Sequence, residues 1–233
     1  MPGYGQYCPL ALATEALAER WTLLVLRELG LGARHFNDIH RGVPRMSPSL
    51  LTRRLRTLEG TEIVERQRVG RRIEYRLTDA GHALLPVIES LAVWGKSWLP
   101  ATLSAERADP DLVLWDMHRR VHTERLPDGR TVIRFVFVDQ PDARRRRWLV
   151  CRRSGVDVCV NDPGIDHDID VESDSKTLVW VWYGDLPIQR ALDDGRITLH
   201  GSSALCAAFP SWLRLNVLAD VPRNTSGTGR NDS

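Results

Sequence analysis

Ser47, Ser49, Thr52, Arg53 and Arg56 crowd into one short stretch, with Arg45 just ahead of it. Hydroxyls and guanidinium forks hydrogen-bond base edges and phosphate oxygens, and a bidentate arginine can tell one base from another. A second basic group, Arg66, Arg68, Arg71 and Arg72, surrounds Gly70. The chemistry open to both groups is recognition of a polyanion. A solvated basic surface has the same composition, so the elements that hold these side chains must decide.

The first group sits on an amphipathic helix. Ser47 is a good N-cap, since its hydroxyl can accept from an orphan backbone N–H one turn on. Pro48 follows at the first helical position, where its missing N–H costs nothing. Leu51, Leu55 and Leu58, with Leu50 beside them, recur at helical spacing as far as Glu59 and make a core-bound face. Ser49, Thr52, Arg53 and Arg56 fall opposite.

The neighbouring elements agree. Residues 9–18 are predicted as a helix striped by Leu10, Ala13, Leu17 and Trp21, and residues 22–29 as a second helix stopping at Gly30 and Gly32. Residues 35–41 make a third, short helix packed through Phe36 and Ile39. Helix, turn, capped helix with outward arginines is the helix-turn-helix pattern. Residues 63–68 and 73–78 are predicted strands joined by Val69-Gly70-Arg71-Arg72, with Ile73, Tyr75 and Leu77 inward against Glu74 and Arg76 outward. A hairpin directly after such a helix is a wing, whose tip arginines can reach phosphate or an adjacent minor groove. A long helix to Trp98, bent at Pro86, then carries Leu84, Leu85, Ile88, Leu91, Ala92, Trp94 and Trp98. That is more apolar surface than one helix hides in a small domain, and it implies a partner.

At 233 residues the chain is sufficient for two domains, each with its own core. Residues 1–99 hold 14 Lys and Arg against 10 Asp and Glu, a balance of +4, and residues 100–233 hold 18 against 20, or −2. Positive charge therefore lies with the candidate reading helix. Only Lys96 and Lys176 are lysines, so part of the arginine richness is compositional habit. Cys8, Cys151, Cys159 and Cys206 are too few and scattered for a disulfide scaffold or zinc cluster. With neither a basic, apolar leader nor a membrane-length apolar run, a cytoplasmic protein is expected.

Cys8-Pro9, Arg20-Trp21-Thr22-Leu23, Leu26-Arg27-Glu28-Leu29, His35-Phe36-Asn37-Asp38-Ile39, Ser47-Pro48, Leu51-Thr52-Arg53-Arg54-Leu55 and Glu74-Tyr75-Arg76-Leu77-Thr78 resemble the HxlR family of bacterial, MarR-like winged-helix regulators. The match runs through residues 7–99. It implies a homodimer on double-stranded DNA, with reading helices entering successive major grooves of a pseudo-palindromic operator. It also implies that the first and last helices, through Leu10, Leu91, Trp94 and Trp98, form much of the dimer interface. Cys8 aligns with a cysteine that senses oxidants in some members, against the plainer reading that it packs under the first helix. Two departures stand out. The hairpin tip is shorter than the family's usual wing, and Glu62 stands where a glycine often ends the reading helix, at a strain of roughly 1 kcal/mol if that backbone is left-handed.

Residues 100–110 read as a linker, residues 111–219 as an α+β domain and residues 220–233 as a disordered tail. A helix over 112–121 is followed by strands at 132–138, 148–152 and 156–160, with another at 169–172. Residues 176–183 are ambiguous between strand and helix, with Ser173 and Ser175 as caps for the latter. A helix from Pro187, a stop at Gly195, a strand ending in Gly201 and a Ser202-capped helix close the run. This ending resembles a sterol-carrier-protein-like domain, which tips 176–183 toward helix and implies an apolar cavity, with Trp115, Trp180 and Trp182 as candidate lining. The alternative is that these tryptophans fill a core or an interface.

His118 and His122 have ligand-compatible spacing but lack the adjacent glutamate of a zinc hydrolase, so a solvated face is expected. Asp166, His167, Asp168 and Asp170 read as a turn, and residues 144–147 as a solvated arginine loop. No catalytic constellation, cofactor fingerprint or metal site is expected. The fold class is thus a mainly α winged helix-turn-helix domain followed by an α+β, sterol-carrier-like domain. The expected protein is a dimeric regulator, most often a repressor in this architecture, with a small hydrophobic effector or a dimer-supporting role assigned to the second half. The alternative is a lipid-handling or enzymatic protein using the helix-turn-helix only for association.

Overall fold

The computed structural model describes residues 3–224, apart from the side chains of 103–105. The chain divides into two compact units, Met1–Ala92 and Val93–Ser233. The division falls within a helix, not in the expected 100–110 linker.

The first unit begins with α1 (Pro9–Leu17), α2 (Thr22–Gly30), α3 (Phe36–Gly42) and α4 (Pro48–Gly60). A two-stranded antiparallel hairpin, β1 (Val64–Val69) and β2 (Arg72–Leu77), follows, and α5 (Asp79–Trp98) begins in this unit. Leu26, Leu29, Ile39, Met46, Leu51, Leu55 and Leu58 are essentially buried, so α2, α3 and α4 share one core with the base of the hairpin at Val64 and Leu77. The expected stripe of α1 is not buried. No residue of that helix is, and Leu10 is 71% exposed. Trp21 lies outside α1, as the N-cap residue of α2 at φ 80°, so the chain turns sharply between them.

The wing alternates less regularly than its sequence. Ile73 is exposed, whereas Glu74, paired with Arg76 at 2.8 Å, is half-buried. A two-stranded ribbon has little to cover it near the tip, so only the base residues Val64 and Leu77 are buried in the core. Gly70, at φ 61°, makes the turn.

The second unit is α+β. Strands β3 (Arg130–Phe137), β4 (Arg146–Arg152), β5 (Gly155–Cys159), β6 (Ile169–Ser173) and β7 (Ile197–Gly201) form one sheet in the order β5-β4-β3-β6-β7. β3 and β6 are parallel and the other pairs antiparallel. Period-two alternation separates the faces. Ile133, Phe135 and Phe137 join Leu149, Ile169 and Val171 on one face, packed against α7 (Pro110–Met117), α9 (Ser175–Trp182) and α11 (Ser203–Trp212). Val132, Trp148 and Val150 form a separate small cluster.

Several expectations change here. The 100–110 segment carries α6 (Ala101–Glu106): Pro100 suits a helix start, and Ala101 and Glu106 are good helix formers. Residues 176–182 lie in helix α9, with Tyr183 as its C-cap, but the N-cap is Asp174, whose carboxylate accepts from the Thr177 N–H at 2.8 Å, not Ser173 or Ser175. The 144–147 run is not a solvated loop. It spans α8 (Asp142–Arg145) and the start of β4. Arg147 is buried against Asp111, and Arg144 bonds Asp109 at 2.7 Å, because the N-terminal end of α7 brings two carboxylates over it. His118 and His122 do not share a continuous helix, since α7 gives way to 3-10 turns. Of the expected 220–233 tail, residues 220–224 are described, with Arg223 bonded to Asp185, and residues 225–233 lie outside the described residues.

Candidate nucleic-acid interface

The turn before α4 is plugged from inside. Val43 and Met46 are buried, the Met46 N–H donates to Val43 O at 2.9 Å, and His40 Nε2 lies 2.8 Å from Met46 O, so that nitrogen must carry the proton. Pro44 and Arg45 are thereby left on the outside. Ser47 Oγ accepts from the Leu50 N–H at 3.3 Å and lies 3.2 Å from Ser49 Oγ. Thr52 donates its hydroxyl proton to Pro48 O at 2.9 Å, which leaves its methyl and lone pairs for an outside partner. Arg53 and Arg56 are exposed, as the periodicity requires.

Two sets stand out among the arginines of this unit. Arg27, Arg41, Arg54 and Arg76 each pair with a carboxylate. Arg45, Arg53, Arg56, Arg68, Arg71 and Arg72 are all exposed, and among the described residues none makes an ion pair or side-chain hydrogen bond. Exposed guanidinium groups without an ion-pair partner, on α4, the turn before it and the hairpin tip, make a surface suited to an external anion.

The support behind this surface was not anticipated. Arg54 is 3% exposed on the inner side of α4 and ion-pairs with Glu19, in the turn before α2; its Nε has no partner. That hydrogen bond from Arg54 holds the Glu19 carboxyl below its usual range. The signal was available: Arg54 falls between Leu51, Leu55 and Leu58 on the core stripe. The hairpin is tied to the segment before α3, where the Tyr75 N–H donates to Arg34 O at 2.8 Å and His35 Nδ1 to Ile73 O at 3.1 Å. Beneath α3, the Glu28 carboxylate is buried beside Arg27 and lies where a Cβ at Gly42 would have to be.

The C-terminal end of α4 takes the form that glycine usually supplies. Glu62 is left-handed at φ 57°, its N–H donates to Glu59 O at 3.1 Å, and the Ile63 N–H reaches Leu58 O at 3.0 Å. This is a Schellman end with glutamate at the glycine position.

Cys8 is exposed at the start of α1, where the nearby backbone N–H groups of Ala11 and then Leu10 favour its thiolate and lower its pKa. Leu91, Trp94 and Trp98 are exposed along α5, the two tryptophans by 53% and 59%. The candidate pocket tryptophans are scattered. Trp182 is buried and donates to Asp116 at 2.6 Å; Trp115 is buried against His118; Trp180 is half-buried under Lys176. A cleft of about 460 Å³ in this unit lies elsewhere, between Arg134, Asp142, Arg146, Trp148, Asn161 and Asp162, and is mostly polar. No group of side chains suited to hold a metal ion occurs among the described residues, and among them no helix is long and apolar enough to cross a membrane.

Fold and charge together define the first unit as a winged helix-turn-helix module with an open basic face. Residues 16–103 match the HxlR-like helix-turn-helix family, and the chain belongs to that family through this segment. A helix-turn-helix-type transcriptional regulator of Methanothermobacter thermautotrophicus is 32% identical over 112 residues, covering 42% of this chain and 86% of that protein. The helix-turn-helix-type regulator YvaP of Bacillus subtilis is 34% identical over 98 residues, covering 40% and 91%. The reduced form of the B. subtilis transcriptional regulator YodB is a solved structure of 34% identity, covering 39% of this chain and 93% of that one at a TM-score of 0.36. Most of the second unit lies outside the matched segment.

Proposed function

We propose that the chain is a homodimeric transcription regulator, a repressor, that reads a pseudo-palindromic operator with α4 in the major groove and the hairpin on adjacent backbone. The observation that carries this reading is the set of exposed guanidinium groups without ion pairs on α4, its preceding turn and the hairpin tip. Arg53 and Arg56 are assigned to bases, Ser47, Ser49 and Thr52 to bases or phosphate, and Arg45, Arg68, Arg71 and Arg72 to phosphate. Leu10, Leu91, Trp94 and Trp98 are assigned to the contact with a second copy, because soluble chains rarely leave large apolar side chains so exposed without one.

The second unit is assigned a dimer-supporting role. The mixed sheet closed by α10 (Ile188–Asp193), β7 and α11 supports the sterol-carrier-like reading, but the burial of Trp115 and Trp182 favours a filled core over a hydrophobic-ligand cavity. Regulation would then act on the spacing of the two reading helices, and any effector must bind the competent and incompetent dimers unequally.

The test is operator binding by Arg53→Ala and Arg56→Ala. Removing one bidentate arginine–base pair should cost about 1–3 kcal/mol of discrimination against mismatched sites. Variants that keep full discrimination would remove α4's outer face from the reading role. The rival, a lipid-handling or enzymatic protein, gains ground if the intact protein fails to retain DNA even at low salt.

A further inference from the structure

A helix C-terminus leaves carbonyls without partners and favours cations. At the end of α5 those carbonyls are taken by the far end of the described chain. Arg223 Nη1 donates to Lys96 O at 2.9 Å and to Leu99 O at 2.7 Å, and the Asn224 N–H donates to Ser97 O at 2.8 Å. The same guanidinium forks onto Asp185, Nε and Nη2 each 2.7 Å from a carboxylate oxygen. Lys96, buried on α5, reaches Asp185 as well and donates to Tyr183 O at 2.8 Å. One carboxylate, in the turn between α9 and α10, therefore holds two cations, one from α5 and one from the C-terminal segment. Removing Asp185 strands two cations, whereas removing Arg223 leaves the Lys96–Asp185 pair intact but frees the Lys96 and Leu99 carbonyls at the end of α5. Trp94 and Trp98, four residues apart, share a face of the same helix turns, and Lys96, two residues from each, faces away from it.

We propose that residues 220–224 are a strap, with Arg223 as its positioning residue, that holds the last turns of α5 in the conformation in which Trp94 and Trp98 pair with a second copy. This rests on the reading of that face as the homodimer contact. It gives the second unit a route to regulation: whatever draws Arg223 off Asp185 frays the end of α5 and weakens the dimer that spaces the reading helices.

The experiment uses the full chain with Arg223→Gln or Asn224→Pro, and Arg190→Gln as the control, an exposed arginine paired only one turn along α10 with Asp194. Amide exchange is followed over the last two turns of α5, and the dimer dissociation constant is measured by sedimentation. Both should rise roughly tenfold or more in the two strap variants, a factor of ten corresponding to about 1.4 kcal/mol, with no change in the control. Should Arg223→Gln fail to fold, Asn224→Pro carries the same test. Unchanged exchange at the end of α5 overturns the strap, and faster exchange with an unaltered dissociation constant overturns its hold on assembly. Trp94→Ala with Trp98→Ala runs in parallel. A dimer undiminished in that variant removes α5 from the interface, while exchange in Arg223→Gln still judges the strap.

Discussion

Glu62 pays for a conformation that glycine adopts freely. Its left-handed backbone completes the end of α4 through the Glu59 and Leu58 carbonyls, and the Thr78 hydroxyl donates to its own carbonyl at 2.6 Å, so the surroundings hold it there. Glu62→Gly should raise unfolding stability by roughly 1 kcal/mol, less the extra freedom that glycine gives the unfolded chain. Unfolding in urea measures this, and a lower midpoint would show that the glutamate side chain contributes something the backbone argument omits. The cysteines differ as sharply in environment. Backbone donors at the start of α1 favour the Cys8 thiolate, whereas burial, with Asp157 adding to it, pushes the Cys151 thiol up to about 12. At neutral pH, iodoacetamide should therefore label Cys8 readily and leave Cys151 untouched in the folded protein. Mass spectrometry of labelled peptides decides it, and comparable labelling of the two would contradict the assignment.

The reading helix and the hairpin are held by different means and should answer differently to substitution. α4 is fixed on its inner side by Leu51, Leu55 and Leu58 and by the Arg54–Glu19 pair, so its outward arginines have a defined direction. The hairpin has only its base in the core and hangs from Arg34 O and the His35 ring. On the proposed reading, its tip follows backbone phosphates without reading bases. Arg71→Ala should weaken binding to all duplexes alike and reduce the salt dependence by about 0.9 in log–log slope for each phosphate no longer neutralised. A change confined to the preferred operator would instead place Arg71 on a base.

On the scale of the whole molecule, the cluster at the end of α5 should leave a signature in acid. Burial by itself would raise the Asp185 carboxyl, but hydrogen bonds from Arg223 and Lys96 outweigh it and hold the group below its ordinary value. A carboxyl depressed in the folded state stabilises fully above its unfolded pKa, about 3.9 for aspartate. That stabilisation is lost as pH falls through the lower, folded value. The gap in unfolding free energy between the parent and Asp185→Asn should hold steady from about pH 5 to 7 and narrow below about pH 4. A gap that does not narrow in acid would mean that Asp185 is not the charged centre of the cluster.

What was legible beforehand is what depends on neighbours in sequence. The Ser47 cap, the leucine stripe of α4, the turn at Gly70 and the Ser202 cap are set by contacts between residues two to four apart, and side-chain type at that spacing suffices to read them. The glycine-like demand on Glu62 was legible by resemblance. Exposure of charged groups away from the periodic face of α4 was not. Arg144, Arg145, Arg146 and Arg147 are identical in type and consecutive, yet Arg147 is buried on Asp111 while Arg146 is open, because only the fold brings α7 over one of them. Trp182 in the core and Trp98 on the surface are likewise alike in sequence. The Lys96–Asp185–Arg223 cluster joins residues scattered along the second unit, and such pairings follow from how sheet and helices close on one another. Local periodicity determined which elements form and which face of α4 is open; tertiary packing alone decided which charges were neutralised and which were left for a partner.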